Sequence, residues 1–284
     1  MASAVGFRRF QGKMTTSSIH FISGLPRSGS TLLSAILRQN PRFASGVTSP
    51  MAPMCGALLE KMSGGGEFAG FFDEQRRQAM LCGLFDSYYP AAGKVVFDTN
   101  RSWTGQAALL ASLYPESRII CCVRDVGWII DSIERMLRKN PTQLSRVFGF
   151  KPTNSVYGRV EMMMNSESGL VGLAWSTLRE AWFGDHAARL ILVQYDSLVS
   201  HPEAVIGRLY RELGEKPFPH DFDRLAHDEP EYDAVLGMPG LHFVRPTVEK
   251  EARSSSIPPD LFAKYADLSF WTRPELNHRG VTVL

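Results

Sequence analysis

The sequence predicts a three-layer α/β fold, in which one parallel β-sheet is covered by helices on both faces. Short apolar runs alternate along the chain with segments whose apolar residues recur at helical spacing. The runs lack the alternation of polar and apolar residues that marks a strand facing water, which indicates parallel strands buried on both sides. Because crossovers between parallel strands are right-handed, the carboxyl ends of the strands share one edge of the sheet, and a functional site is expected there.

Four units of strand followed by helix are expected in chain order. The first strand, at residues 19–23, ends in a glycine-rich turn, and the helix that follows stops at Asn40-Pro41. The other three strands are expected at residues 94–98, 118–123 and 189–193, followed by helices at residues 106–113, 128–139 and 205–213. Residues 56–93 and 126–183 predict mostly helical covers, and a long loop over residues 237–259 precedes a short helix near Leu261.

Length and charge limit the kind of protein. A chain of 284 residues allows two domains or one large α/β domain, and we expect one domain over residues 18–284. Residues 1–17 are expected to be a disordered tail, because structured patterning begins only at Ile19. The net charge of +2 disfavours general nucleic-acid binding, so an anionic partner needs a local site. No apolar run reaches the roughly 18 residues that a membrane span needs.

Cysteine and histidine usage suggests neither disulfides nor a metal. The four cysteines form no Cys-x-x-Cys pair; Cys121 and Cys122 lie together in an apolar run, which is typical of small buried side chains. We therefore expect a reducing compartment, the cytoplasm. The seven histidines are scattered without the paired spacing of metal ligands, so no metal site is expected.

The segment GLPRSGST, residues 24–31, joins the first predicted strand to the first predicted helix. Its glycines let the backbone approach an anion closely, and successive N–H groups at a helix start form a positive concavity. Ser30 stands where nucleotide triphosphatases have lysine, which weighs against a triphosphate. Arg27 supplies a guanidinium that can hold an anhydride oxygen by two hydrogen bonds. A ligand-free capping loop is the alternative; the flanking strand and helix favour anion binding and a fold of the P-loop type.

A second candidate anion site combines Arg124, at the end of the third predicted strand, with Ser132 in the next helix. An arginine at a strand end and a serine two turns along the adjacent helix can converge on one further phosphate. Alone this pattern is weak, because an arginine followed by Asp125 commonly makes a surface ion pair. It becomes informative together with the loop at residues 24–31.

Together the two segments resemble the sulfotransferases that use 3′-phosphoadenosine 5′-phosphosulfate (PAPS), most closely the tyrosylprotein sulfotransferase branch. That family binds the 5′-phosphosulfate with a P-R-S-G-[ST]-T loop and the 3′-phosphate with an R-x7-S segment. The resemblance covers about residues 19–260. Supporting segments are NR at residues 100–101, VQYDSLV at 193–199, VRP at 244–246 and IPPD at 257–260.

The resemblance implies a metal-independent transfer of a sulfuryl group from PAPS to a hydroxyl or amine of an acceptor, which is a small molecule, carbohydrate or peptide. The residues implied to bind the donor are Arg27, Ser28, Gly29, Ser30, Thr31, Arg124, Ser132, Tyr195 and Arg245. Arg27 is also implied in catalysis, and Arg101 matches the place of a lysine that stabilises the transferring group. For Tyr195 and Arg245 the alternatives are a core tyrosine and a solvated loop arginine.

The general base departs from the family pattern. The tyrosylprotein branch has glutamates just after the loop helix, where this chain reads SGVTS at residues 45–49, so sulfation of protein tyrosine is in doubt. Asp98 is similar in place to the glutamate of the heparan-sulfate sulfotransferases and is our candidate base, with partial burial raising its pKa. The alternative is a structural aspartate that caps the turn at Asn100 or pairs with Arg101.

Two other functions remain open at this point. One is a P-loop kinase, which Ser30 in the lysine position disfavours. The other is a nucleotide-binding protein that does not catalyse a reaction.

Overall fold

The computed structural model describes residues 18–64, 66–89, 93–225, 228–250, 252 and 254–284, so the tail expected at residues 1–17 lies outside the described residues. Within them the chain forms one sheet of six strands in the order β2-β3-β1-β4-β5-β6. All the strand pairs are parallel, and helices cover both faces. The predicted three-layer α/β fold is confirmed.

The strands are β1 (Ile19–Gly24), β2 (Phe43–Ser45), β3 (Val95–Thr99), β4 (Ile119–Val123), β5 (Leu190–Gln194) and β6 (Thr282–Val283). The four central strands lie where the apolar runs predict them. The edge strands β2 and β6 were not predicted, because three and two residues are too short to produce an apolar run.

The helices that precede β5 are α1 (Ser30–Leu37), α2 (Met51–Ser63), α3 (Glu74–Tyr88), α4 (Ala107–Leu113), α5 (Val126–Lys139), α6 (Val156–Met164) and α7 (Gly172–Phe183). Those that follow β5 are α8 (Tyr195–Ser200), α9 (Pro202–Leu213), α10 (Pro230–Val235) and α11 (Pro259–Ala266). Helix α10 was not predicted. None of the described helices combines the length and the apolar character that crossing a bilayer demands.

The strand residues alternate between two apolar cores. Phe21 packs on one face with residues of α2 to α7 and α11, whereas the next residue, Ile22, packs on the other face with α1, α8 and α9. All five residues of β4 are buried, which explains why this strand reads as a continuous apolar run.

The parallel arrangement places four strand ends side by side. β1, β3, β4 and β5 are neighbours in the sheet, and the residues that follow them include the loop after Gly24, Arg101, Arg124 and Tyr195. The candidate residues from distant parts of the sequence are thus delivered to one edge.

Candidate active site

The loop after β1 has the backbone of an anion-binding turn. Gly24 (φ 101°), Arg27 (φ 56°) and Gly29 (φ 95°) all have positive φ. A Cβ on Gly24 would lie 2.2 Å from the carbonyl oxygen of Cys122, so only glycine fits there. Helix α1 begins at Ser30, and no side chain among the described residues caps it by a hydrogen bond. The N–H groups of an uncapped first turn are available to an anion.

Ser28 fixes this loop to the sheet. Its buried hydroxyl donates to the carbonyl oxygen of Cys122 at 2.7 Å and to that of Leu25. The side chain is therefore occupied by the protein and is not part of the cavity wall. Any contact of Ser28 with a ligand would come from its backbone.

Arg27 connects the two sequence motifs. Its Nε donates to the hydroxyl oxygen of Ser132 at 3.2 Å, and its Nη1 donates to the carbonyl oxygen of Leu241. The sequence predicts an anion site in the loop after β1 and a second one at Arg124 and Ser132, and in the structure side chains of the two segments are in contact.

Tyr195 contacts both of these elements. The guanidinium carbon of Arg124 lies 4.1 Å from the centroid of the tyrosine ring, a cation–π geometry worth about 0.5–2 kcal/mol. A Cβ on Gly29 would lie 3.0 Å from the same ring, so the loop packs closely against it. Tyr195 is half-buried and lines the cavity, so it is not enclosed in the apolar core.

A cavity of about 650 Å³ lies at this edge of the sheet, within the usual range for small-molecule sites. The predicted residues on its wall are Arg27, Gly29, Ser30, Thr31, Arg101, Arg124, Ser132, Tyr195 and Arg245. Among the described lining residues, five are arginines and the one carboxylate is Glu249. A strongly positive site therefore exists on a chain whose net charge is only +2, as a ligand with several anionic groups requires.

The turn after β3 holds Arg101 at the cavity. Asn100 caps this turn, because its side-chain oxygen accepts from the N–H of Ser102 at 3.0 Å while its amide nitrogen donates to the carbonyl oxygen of Ser49 at 3.0 Å. The carbonyl oxygen of Arg101 accepts from the hydroxyl of Ser23 on β1 at 3.0 Å. The backbone of Arg101 is thereby fixed next to the loop after β1.

Asp98 lies behind the cavity wall. It is fully buried, and its carboxylate accepts hydrogen bonds from Ser49 (2.7 and 2.9 Å), from the hydroxyl of Tyr89 (2.8 Å) and from Nε1 of Trp103 (2.6 Å). Burial raises the pKa of Asp98, while these hydrogen bonds act in the opposite direction. None of the hydrogen bonds found for this carboxylate among the described residues involves Arg101. The turn is capped by the side chain of Asn100 rather than by Asp98. This geometry favours a structural role over that of a base.

Three further side chains on the wall were not marked by any sequence motif: Arg146, Tyr232 and His242. They lie in turns and in the segment around α10, where the sequence has no strand-end pattern to point to them. Among the described residues, no group of three or more histidine, cysteine, aspartate or glutamate side chains is arranged to hold a metal ion.

Comparison with known proteins relates this chain to a protein family. A model described as the sulfotransferase family matches residues 20–219. The nodulation protein NoeE of Sinorhizobium fredii (strain NBRC 101917 / NGR234) is 28% identical over 221 residues, which cover 70% of this chain and 50% of that protein. The chain thus spans about half the length of this curated relative.

Among solved structures, the sulfotransferase domain from the curacin biosynthetic pathway aligns with a TM-score of 0.55 and 18% identity. The alignment covers 88% of this chain and 97% of that domain. At this level of identity the likeness concerns the fold.

Proposed function

This chain belongs to the sulfotransferase family, and from that premise we propose that it transfers a sulfuryl group from PAPS to a hydroxyl or amine of an acceptor. The observation that most supports this is the arginine-lined cavity at the carboxyl edge of the sheet, where the loop after β1 meets the Arg124–Ser132 segment. A site with two neighbouring anion-binding elements suits a donor that carries anionic groups at both the 5′ and the 3′ positions of its ribose.

The residues present fit such a donor. The uncapped start of α1, with the hydroxyls of Ser30 and Thr31, would hold the phosphosulfate. Arg124 and Ser132 would hold the 3′-phosphate, with Arg27 in contact with Ser132. The donor-binding residues proposed besides these are Ser28 and Gly29 through their backbone, and Tyr195 and Arg245.

When bound, PAPS supplies a sulfuryl group activated by a phosphosulfate anhydride. Because such transfers pass through a loose transition state, the protein contributes mainly positioning and fixed positive charge. We assign this charge to Arg27 and Arg101, which both lie on the cavity wall. Losing one such donor typically costs about 3 kcal/mol of barrier, or roughly a hundredfold in rate.

The acceptor class stays open among small molecules, carbohydrates and peptides. The segment at residues 45–49 offers no carboxylate, and Val47 and Thr48 from it line the cavity, so we do not propose protein tyrosine as the acceptor. We retain the cytoplasm as the expected location, because the four cysteines carry free thiols.

Thermal unfolding with 3′,5′-bisphosphoadenosine, the desulfated donor, and with ATP tests the donor. A ligand at about 100 times its Kd stabilises the folded state by about 2.7 kcal/mol, and we expect this from 3′,5′-bisphosphoadenosine but not from ATP. Incubation with ³⁵S-labelled PAPS and a panel of alcohols, sugars, amines and peptides then tests transfer. Equal stabilisation by ATP would favour the kinase. Binding of the desulfated donor without transfer to any acceptor would favour an inert nucleotide-binding protein.

A further inference from the structure

A histidine and a buried aspartate form a pair at the cavity. Nδ1 of His242 lies 2.5 Å from a carboxylate oxygen of Asp233, and the other carboxylate oxygen accepts the backbone N–H of His242 at 2.9 Å. Asp233 is fully buried, while the His242 side chain is 13% exposed and lines the cavity. The two contacts fix both the position and the rotation of the imidazole.

The pair belongs to an ordered part of the fold. Asp233 lies on α10, and its carbonyl oxygen accepts from the N–H of Met238 at 3.0 Å. The carbonyl oxygen of Leu236, just after α10, accepts from the N–H of Arg146 at 3.1 Å. The segment that carries His242 is therefore held against the turn at Arg146–Phe148.

The pair also lies next to the anion-binding loop. The carbonyl oxygen of Leu241, the residue before His242, accepts a hydrogen bond from Arg27. The ring of Tyr232 packs on the imidazole with 5.4 Å between centroids. Among the described residues, no hydrogen bond engages Nε2 of His242, so this nitrogen remains available to a ligand in the cavity.

We propose that His242 is the general base that activates the acceptor, and that Asp233 is its positioning residue. This rests on the proposed function. As the bond between the acceptor oxygen and sulfur forms, the bond between sulfur and the bridging oxygen of the donor breaks, and its electron pair stays on that oxygen. The acceptor proton passes to Nε2 of His242. The carboxylate of Asp233 keeps the proton on Nδ1 and stabilises the imidazolium that results.

The charged surroundings suit this role. Asp233 and Tyr232 contact the histidine from α10, while Arg27, Arg101 and Arg146 lie on the same cavity wall from three other segments. Among the described residues on the wall, the one carboxylate is Glu249, and Asp233 lies buried behind the histidine. His242 is thus the titratable group with both a fixed orientation and an open nitrogen at the cavity.

The substitution His242→Asn tests the base. The amide nitrogen of asparagine can still donate to Asp233, so the fold is kept while Nε2 is lost. Transfer of ³⁵S from PAPS is measured to 4-nitrobenzyl alcohol, to 4-nitrophenol and to water. We expect kcat toward the alcohol to fall about 10²–10⁴-fold. Transfer to 4-nitrophenol should fall much less, because a substantial fraction of this phenol is already ionised at neutral pH and needs no base. Stabilisation by 3′,5′-bisphosphoadenosine should be unchanged. The matched control is His278→Asn, an exposed position.

The substitution Asp233→Asn tests the positioning role. It should lower kcat with little change in KM, and ¹⁵N NMR of the imidazole without donor should show the Nδ1–H tautomer in the wild type and a mixture in the variant. An unchanged tautomer in the variant would overturn the role of Asp233. If His242→Asn kept more than about a fifth of the wild-type rate toward the alcohol, the base assignment would be wrong while the proposed function stood. Absence of transfer by the wild type, even to water, would instead overturn the proposed function.

Discussion

Replacing Asp98 by alanine separates a structural role for this carboxylate from a catalytic one. The substitution leaves three donors without their acceptor: the hydroxyls of Ser49 and Tyr89 and Nε1 of Trp103. An unsatisfied buried donor costs about 1–3 kcal/mol. Trp103 is fully buried and loses its partner outright, whereas Tyr89 is only partly buried and can turn to water. We therefore expect the free energy of unfolding to fall by about 3–5 kcal/mol.

Urea denaturation measures this loss, and kcat is measured on the same variant below its unfolding transition. Because the carboxylate lies behind the cavity wall, the folded fraction should keep kcat within a few-fold of the wild type. A hundredfold or greater loss of kcat with unchanged stability would refute this reasoning and restore Asp98 as the base.

The variant Asp98→Asn adds a pH test. Burial raises the pKa of Asp98 in the folded protein above its ordinary value of 3.8, which is the value expected in the unfolded chain. At a pH between the unfolded pKa and the folded pKa, the folded state therefore binds a proton that the unfolded state does not. The wild type should therefore gain stability relative to Asp98→Asn as the pH falls through this interval toward 3.8, and lose that gain as the pH rises. A difference between the two proteins that does not vary with pH would mean that the pKa of Asp98 is not raised.

Three further substitutions test the anion site. Arg27→Ala should lower kcat/KM for PAPS at least about a hundredfold. The control Arg211→Ala, at an exposed position of α9, should change kcat/KM little. A wild-type rate in Arg27→Ala would exclude Arg27 from the reaction. Ser132→Ala should weaken binding of 3′,5′-bisphosphoadenosine by about 1–2 kcal/mol in calorimetry without affecting binding of adenosine 5′-phosphate, and equal weakening of both would contradict a 3′-phosphate site. Gly24→Ala should destabilise the fold by at least about 2 kcal/mol, since its Cβ would strike the Cys122 carbonyl. The control Gly56→Ala on α2, where an added Cβ would meet open space, should leave the free energy of unfolding unchanged or raise it. Similar denaturation midpoints for the two glycine variants would be inconsistent with the close approach at Gly24.

The central sheet could be predicted because its strands are buried on both faces, which leaves a plain apolar signature in the sequence. The same holds for the loop at residues 24–31, where glycine spacing reflects backbone geometry. Two aspects could not be read locally. Asp98 lies near the end of β3, as a base would, but its carboxylate is enclosed by Ser49, Tyr89 and Trp103. Neither Asp98 nor any of these three partners lines the cavity, and the local sequence does not reveal that enclosure. The contact of Asp233 with His242 depends on the fold of the segment around α10, which carries no recognisable pattern.

The candidate base His242 does not come from a strand end, and the groups that stand at the carboxyl edge of the sheet help to explain why. The residues at or just after the ends of β1, β3, β4 and β5 are the loop after β1, Arg101, Arg124 and Tyr195, which we propose hold the donor. His242 comes instead from the segment that closes over the edge, paired with a buried carboxylate of its own. The bond from Arg27 to Leu241 then sets this histidine beside the loop after β1. In the proposed reaction, the strand ends would supply the charge for the donor, and the segment that carries His242 would supply the group that activates the acceptor.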